Sequence, residues 1–319
     1  MHATRFLAAL AASFVLALGA IGALPRLGLA RPSAEIAWTH DLYVQKTSIA
    51  DAIAGPRILA VGGSGTLFSF DTRLASAAIG RPVVNFGTHA GLGMEYILDR
   101  AARIMRSSDV IVLVPEYEFL QESEGTNEYA IQLADFFDPG FVAARPLAER
   151  SHYWLGYGVL PSLVEGVRRL LKGAPQGRPD IRLDELGNAR GNSVALSKSA
   201  TLSAQGPALP VRPVTPTAIT LMRGFTDRAR AEGVTVFVIP PAVISTAGYR
   251  AAAFRRFQDG LPALYASLGM IPVGRSQDAF LAPQDMYDSV YHANDRGRAI
   301  YTTKMLEALC QKMTCANER

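Results

Sequence analysis

The stretch whose reading decides the fold is "ILAVGGSGTLFSFDT", residues 58–72. Its opening is short, apolar and bounded by Pro56 and Gly62, which predicts a buried strand over Arg57–Val61 rather than a helix. The strand runs straight into Gly62-Gly63-Ser64-Gly65. A serine among glycines at a strand end suits three uses: a phosphate-binding turn, a raised nucleophile, or a plain chain reversal. The same strand pattern recurs at Pro82–Phe86, which leads into "NFGTHAGLG", and at Val110–Val114, "VIVLV", which stops at Pro115. It returns at Val234–Ile239 and, briefly, at Ile271–Val273.

Helical segments separate these runs. One is expected near Val44–Ala54. Gly91–Met105 places Met94, Ile97, Leu98, Ala101 and Ile104 on one face. Thr217–Glu232 ends at Gly233, Gly248–Leu268 follows, and Asn294 or Asp295 caps a final helix. Continuous apolar strands alternating with helices predict a parallel sheet covered on both faces. The expected fold is a three-layer α/β/α, doubly wound, flavodoxin-like sheet of about five strands. Sites in such sheets lie beyond the carboxyl ends of the strands, where Ser64, Gly87, Glu116 and Pro240 fall.

Composition narrows the class. Of 319 residues, 49% are hydrophobic and 19% charged, which excludes a disordered chain. The formal charge is only +4, and no basic run forms the stripe that nucleic-acid binding needs. Phe6–Leu24 is a continuous apolar or small-residue stretch after Arg5. Its length falls between a signal-peptide core, about 7–15 residues, and a spanning helix of about 20. Residues 1–30 are therefore read as an export signal peptide or a membrane anchor, with both alternatives open. Residues 31–319 form the α/β domain. An insertion is expected at about 140–216, read either as a lid or flap or as a surface excursion. It contains one amphipathic helix, Pro161–Leu171, and a proline-rich extended segment. The two cysteines, Cys310 and Cys315, are expected to pair as a disulfide after the last helix, in keeping with export. No spacing suits a metal site.

The serine turn can be tested against each use. A phosphate loop needs Gly-Lys-Ser/Thr, and no lysine follows Gly65. A dinucleotide fingerprint needs a third glycine, where Phe68 stands, and an acid where Asn85 stands. A nucleophile needs a base with an orienting carboxylate. "DMYDSVYHANDRGR" supplies both: Asp288 lies four residues before His292, ahead of the final helix. Thr66 stands where a nucleophile elbow has its last glycine.

Taken together, "GGSGTLFSFD", "NFGTHAGLG" and "DSVYHANDRGR" resemble the first, second and last sequence blocks of the SGNH/GDSL hydrolase superfamily. More closely, the ensemble resembles envelope SGNH-like proteins of polysaccharide or teichoic-acid O-acylation. The resemblance implies Ser64 as nucleophile, His292 as base and Asp288 as orienting acid, with Asp285 as a fallback. It implies an oxyanion hole from the amides of Ser64 and Gly87. The third block of that family carries an asparagine; here "VPEYEF" has none, leaving Tyr117 as a substitute donor. His89, Glu116 and Glu118 are candidate pocket residues. Glu116 and Glu118 are expected to point the same way if the strand continues. Tyr249, Trp154 and Tyr157 are candidates for sugar stacking, with core packing the simpler reading.

The function expected from this resemblance is an exported, periplasmic or otherwise extracytoplasmic serine esterase or O-acetyltransferase without a cofactor. Its substrate would be an acylated glycan. A membrane acyl-donor transporter or acyltransferase would be a partner if acyl groups are transferred. The alternative is a catalytically inactive SGNH-like scaffold or glycan-binding component.

Overall fold

Short apolar runs have no polar face to offer water, so they pair side by side and bury both faces. In the computed structural model they form β1 (Ile58–Gly62), β2 (Val83–Asn85), β3 (Val110–Val114), β4 (Thr235–Val238) and β6 (Ile271–Pro272), after β5 (Val243–Ile244). Five make one parallel sheet in the order β2-β1-β3-β4-β6; β5 pairs separately with β7 (Phe280–Leu281), also in parallel. All five residues of β1 are buried. Burial of each Val, Leu or Ile contributes about 1.5–3 kcal/mol. The structure describes residues 2–23, 32–121, 127–147, 182–198 and 211–316, with isolated positions between 149 and 202.

The described helices are α1 (His2–Ala23), α2 (Ala34–Asp51), α3 (Ser64–Ser69), α4 (Thr72–Ile79), α5 (Gly93–Ile104) and α6 (Tyr117–Gln121). They continue with α7 (Glu128–Phe137), α8 (Pro139–Ala143), α9 (Pro216–Ala231), α10 (Ala252–Ser267) and α11 (Asp295–Cys310). Helix α9 packs on α5, and these two contact β4 and β1; α3, α4 and α11 form a second packed group at β1 and β2. The molecule is thus a mixed α/β protein whose five-stranded parallel sheet is flanked by helices.

The chain divides into two compact units, Met1–Asp41 with Asn127–Asp180 and Leu42–Thr126 with Ile181–Arg319. In the first unit, Thr39 and Tyr129 share a hydrogen bond of 2.8 Å and the His40 ring stacks on Phe137 at 3.9 Å. The second unit holds the sheet and everything that follows below.

Several expectations shift. The helix near residue 44 begins ten residues earlier, at Ala34. Among the described residues no helix is long and apolar enough to cross a membrane. The segment expected as one insertion is split between the two units. Residues 182–198 are neither flap nor surface excursion. The Asn85 N–H donates to the Leu186 carbonyl, and Asn188, Ala189 and Asn192 are buried. Most of Pro161–Leu171 lies outside the described residues, as do residues 207–210 of the proline-rich segment, Trp154 and Tyr157. Cys310 and Cys315 form the expected disulfide.

Candidate active site

The register of two neighbouring strands sets the site. Parallel pairing places Gly62, at the end of β1, beside Val114, at the end of β3. Two residues further on each chain stand Ser64 and Glu116. This is the point where the strand order reverses, the position at which doubly wound sheets bind their ligands.

Ser64 opens α3, with Gly63 as its N-cap. Neither its hydroxyl nor its N–H has a hydrogen-bond partner among the described residues. The next amide is different: Gly65 N–H donates to Glu116 Oε1 at 2.6 Å. Glu116 is only 4% exposed. A Cβ on Gly63 would lie 2.6 Å from that oxygen, and one on Gly65 2.9 Å. The two glycines therefore make room for a carboxylate of the protein itself.

A short helix such as α3 leaves its last carbonyls without intrahelical partners. Here Asn85 Nδ2 donates to the Phe70 carbonyl at 3.1 Å and to that of Thr66, which also accepts the Phe70 N–H, at 3.0 Å, and Arg298 Nε donates to that of Phe68 at 2.7 Å. Asn85 is in turn held by Lys46. This fully buried lysine donates to the Asn85 and Gly187 carbonyls, both at 2.7 Å, and to Asn85 Oδ1 at 3.3 Å. Burial holds its pKa well below the usual lysine value. Asn85 Oδ1 also accepts the Gly87 N–H at 3.0 Å. Gly87 is thereby removed from the expected oxyanion hole. Its lack of a side chain serves packing instead, since a Cβ there would lie 2.6 Å from Thr66 Cβ.

His292 lies in the turn before α11, whose N-cap Asn294 accepts the Gly297 N–H. Its Nδ1 pairs with Asp288 Oδ1 at 2.7 Å. Asp288 is therefore the partner, and the fallback Asp285 is engaged by Arg296 Nε at 2.5 Å. Burial acts to raise the Asp288 pKa. The hydrogen bond to His292 and the charges of His292 and Lys198 outweigh it, holding the carboxyl below the ordinary range. The imidazole packs on the Phe68 ring, 4.5 Å between centroids. Phe68 is four residues after Ser64 in α3, hence on the same helix face. Ser69 completes the link: its hydroxyl donates to the Tyr291 carbonyl at 2.7 Å and accepts the Ala293 N–H at 2.9 Å. Both neighbours of His292 are thus tied to the helix that carries Ser64. No hydrogen bond joins Ser64 to His292 themselves.

The remaining expected residues separate. His89 caps a turn, its Nδ1 accepting the Gly91 N–H at 3.0 Å. Tyr117 is buried and its hydroxyl accepts from Gln258 at 2.9 Å; burial pushes its pKa up to about 12. The chain turns helical at Tyr117, so successive side chains rotate by a helical step rather than alternating. Glu116 is the more buried of the two, yet burial and then both carboxylates raise the Tyr249 and Tyr291 pKa values, so the two acids lie toward the same pair of rings, as expected. Tyr249 is core, packed edge-on against Phe254 at 5.2 Å between centroids. Asn85, Lys46, Ser69 and Arg298 carried no sequence signal of a role at the site, because their partners lie up to 230 residues away.

The chain matches no protein-family model, and no curated protein matches it significantly.

Proposed function

We propose that this protein is an exported serine esterase or O-acyltransferase acting on an acylated envelope or secreted glycan. The observation that carries the reading is the Asp288–His292 pair held against the helix of Ser64 through Phe68 and Ser69. With Nδ1 engaged by a carboxylate, the imidazole presents Nε2 as the basic nitrogen. Ser64 Oγ attacks the ester carbonyl carbon while its proton passes to His292, and the carbonyl electron pair moves to oxygen. Collapse of that oxyanion expels the sugar hydroxyl, which takes the proton back from His292. The acyl group then passes from Ser64 to water or to a second sugar hydroxyl. This chemistry calls for no cofactor. The SGNH resemblance and the apolar leader suggest the glycan and the export. In the transferase version a membrane partner delivers the acyl donor.

A second reading has its own observation. Gly65 and Gly87 both direct their amides to groups of the protein, leaving only the Ser64 N–H for an oxyanion. Loss of one oxyanion donor lowers turnover about 100- to 1000-fold, which favours an inactive glycan-binding scaffold. Treatment with a fluorophosphonate probe, and with p-nitrophenyl acetate, separates the two. Labelling or turnover that disappears in Ser64→Ala is the expected result. Folded protein that gives no Ser64-dependent signal with either reagent would favour the scaffold.

A further inference from the structure

The Gly65 N–H is the amide next after the nucleophile, and in serine acyl-transfer sites that amide commonly donates to the developing oxyanion. Here it is taken by a carboxylate. The contact is built into the fold: strand register brings residue 116 beside residue 64, and glycines at 63 and 65 leave the space that Oε1 fills. Tyr291, whose Cβ lies against Gly65, and Phe119, whose ring lies against Gly63, close the sides. A negative charge at this place opposes a second negative charge forming on a carbonyl oxygen bonded to Ser64.

We propose that Glu116 is a positioning residue that gates Ser64: its carboxylate holds the Gly65 amide and must release it before Ser64 can be acylated. The inference rests on the reading of Ser64 as a nucleophile. It adds that the resting protein keeps its own oxyanion donor occupied, so that acylation waits on displacement of Glu116. An ordinary serine hydrolase has no such step, because its donors are preorganised and open.

The test is the rate of Ser64 labelling by a fluorophosphonate. Ser64 Oγ forms the bond to phosphorus, fluoride leaves with its electron pair, and the serine proton goes to His292. The phosphoryl oxygen occupies the oxyanion position. The full chain is compared with Glu116→Gln and Glu116→Ala, with Ser64→Ala as the control and thermal melting to confirm folding. Glu116→Gln keeps the shape while removing the charge, and it guards against failure of the alanine variant to fold. Glu116→Ala is expected to label at least about tenfold faster than the native chain, given what one regained donor is worth; Glu116→Gln, whose amide oxygen can still accept the Gly65 N–H but carries no charge, is expected to label faster than the native chain by a smaller factor. The Gly65 amide proton resonance is expected to move upfield in Glu116→Ala as its carboxylate partner is lost. Equal or slower labelling in both variants, with the native chain labelled at Ser64, would overturn the gate and leave the enzyme reading intact. Absence of Ser64-dependent labelling in every variant would overturn both.

Discussion

The Ser64 turn and the His292 turn face each other across the site, and they are held in different ways. The serine turn grows directly out of a buried strand. Its peptide groups meet Glu116, Asn85 and Arg298, all largely buried. The histidine turn is part of the surface: the side chains of His292 and Asp288 are 16% and 36% exposed. Its placement depends on Tyr287 N–H to the His292 carbonyl, Asn294 N–H to the Asp285 carbonyl, and the two bonds of Ser69. Ser64 is therefore positioned by the scaffold, and His292 is positioned by the helix that carries Ser64. Disturbing the scaffold should move both; disturbing Ser69 should move His292 alone.

The largest effect is expected at Asn85, where the two dependencies converge. Asn85→Ala strips the α3 carbonyls of their cap, frees the Gly87 amide and removes one acceptor from the buried Lys46 ammonium. A loss of about 3–5 kcal/mol in unfolding free energy by denaturant titration is expected, with Ser64 labelling lost as well. A loss below about 1 kcal/mol would mean that α3 holds its shape without the cap.

Ser69→Ala sharpens the contrast between the turns. It leaves the Tyr291 carbonyl and the Ala293 amide without their shared partner, for an expected loss of about 2 kcal/mol. Labelling of Ser64 should slow, while the Gly65 amide resonance stays where it is. A shift of that resonance would show that the serine turn depends on the histidine turn after all.

The smallest effect belongs to Asp288→Asn. Because the folded protein holds the Asp288 pKa below its unfolded value, the pair stabilises above the unfolded pKa of about 3.9. That contribution disappears as pH falls through the lower folded value. The group is partly exposed and solvent screens it, so the stability at neutral pH should fall by at most about 1 kcal/mol. The acid limb of the stability curve should flatten in the variant. An unchanged acid limb would argue that His292 does not hold the carboxylate in solution.

The strands and most of the long helices were legible in the residues themselves. Apolar runs such as "VIVLV" have one low-energy destination, and strand ends moved by only a residue or two: β2 is Val83–Asn85 where Pro82–Phe86 was expected. The order of these elements also disclosed the site's edge of the sheet, and the Asp288–His292 spacing disclosed a pair joined by a short loop. Less visible were α3 and α4, each under nine residues, and the role of residues 182–198. Their polar sequence reads as surface, yet Asn188 and Asn192 are buried because they satisfy backbone groups of distant segments.

What the sequence by itself determined about this protein is local: which runs are apolar enough to pair, where glycine and proline end them, and which acid lies within reach of which histidine. Strand pairing across the sheet decided the rest. Residues 64 and 116 are separated by fifty-one others in the chain, and only the register of β1 on β3 brings them together. The same register fills the space beside the glycines at 63 and 65 with Glu116. Pattern along a chain reports burial and turns, whereas the partner of a buried polar group is chosen by whichever distant segment the fold delivers to it.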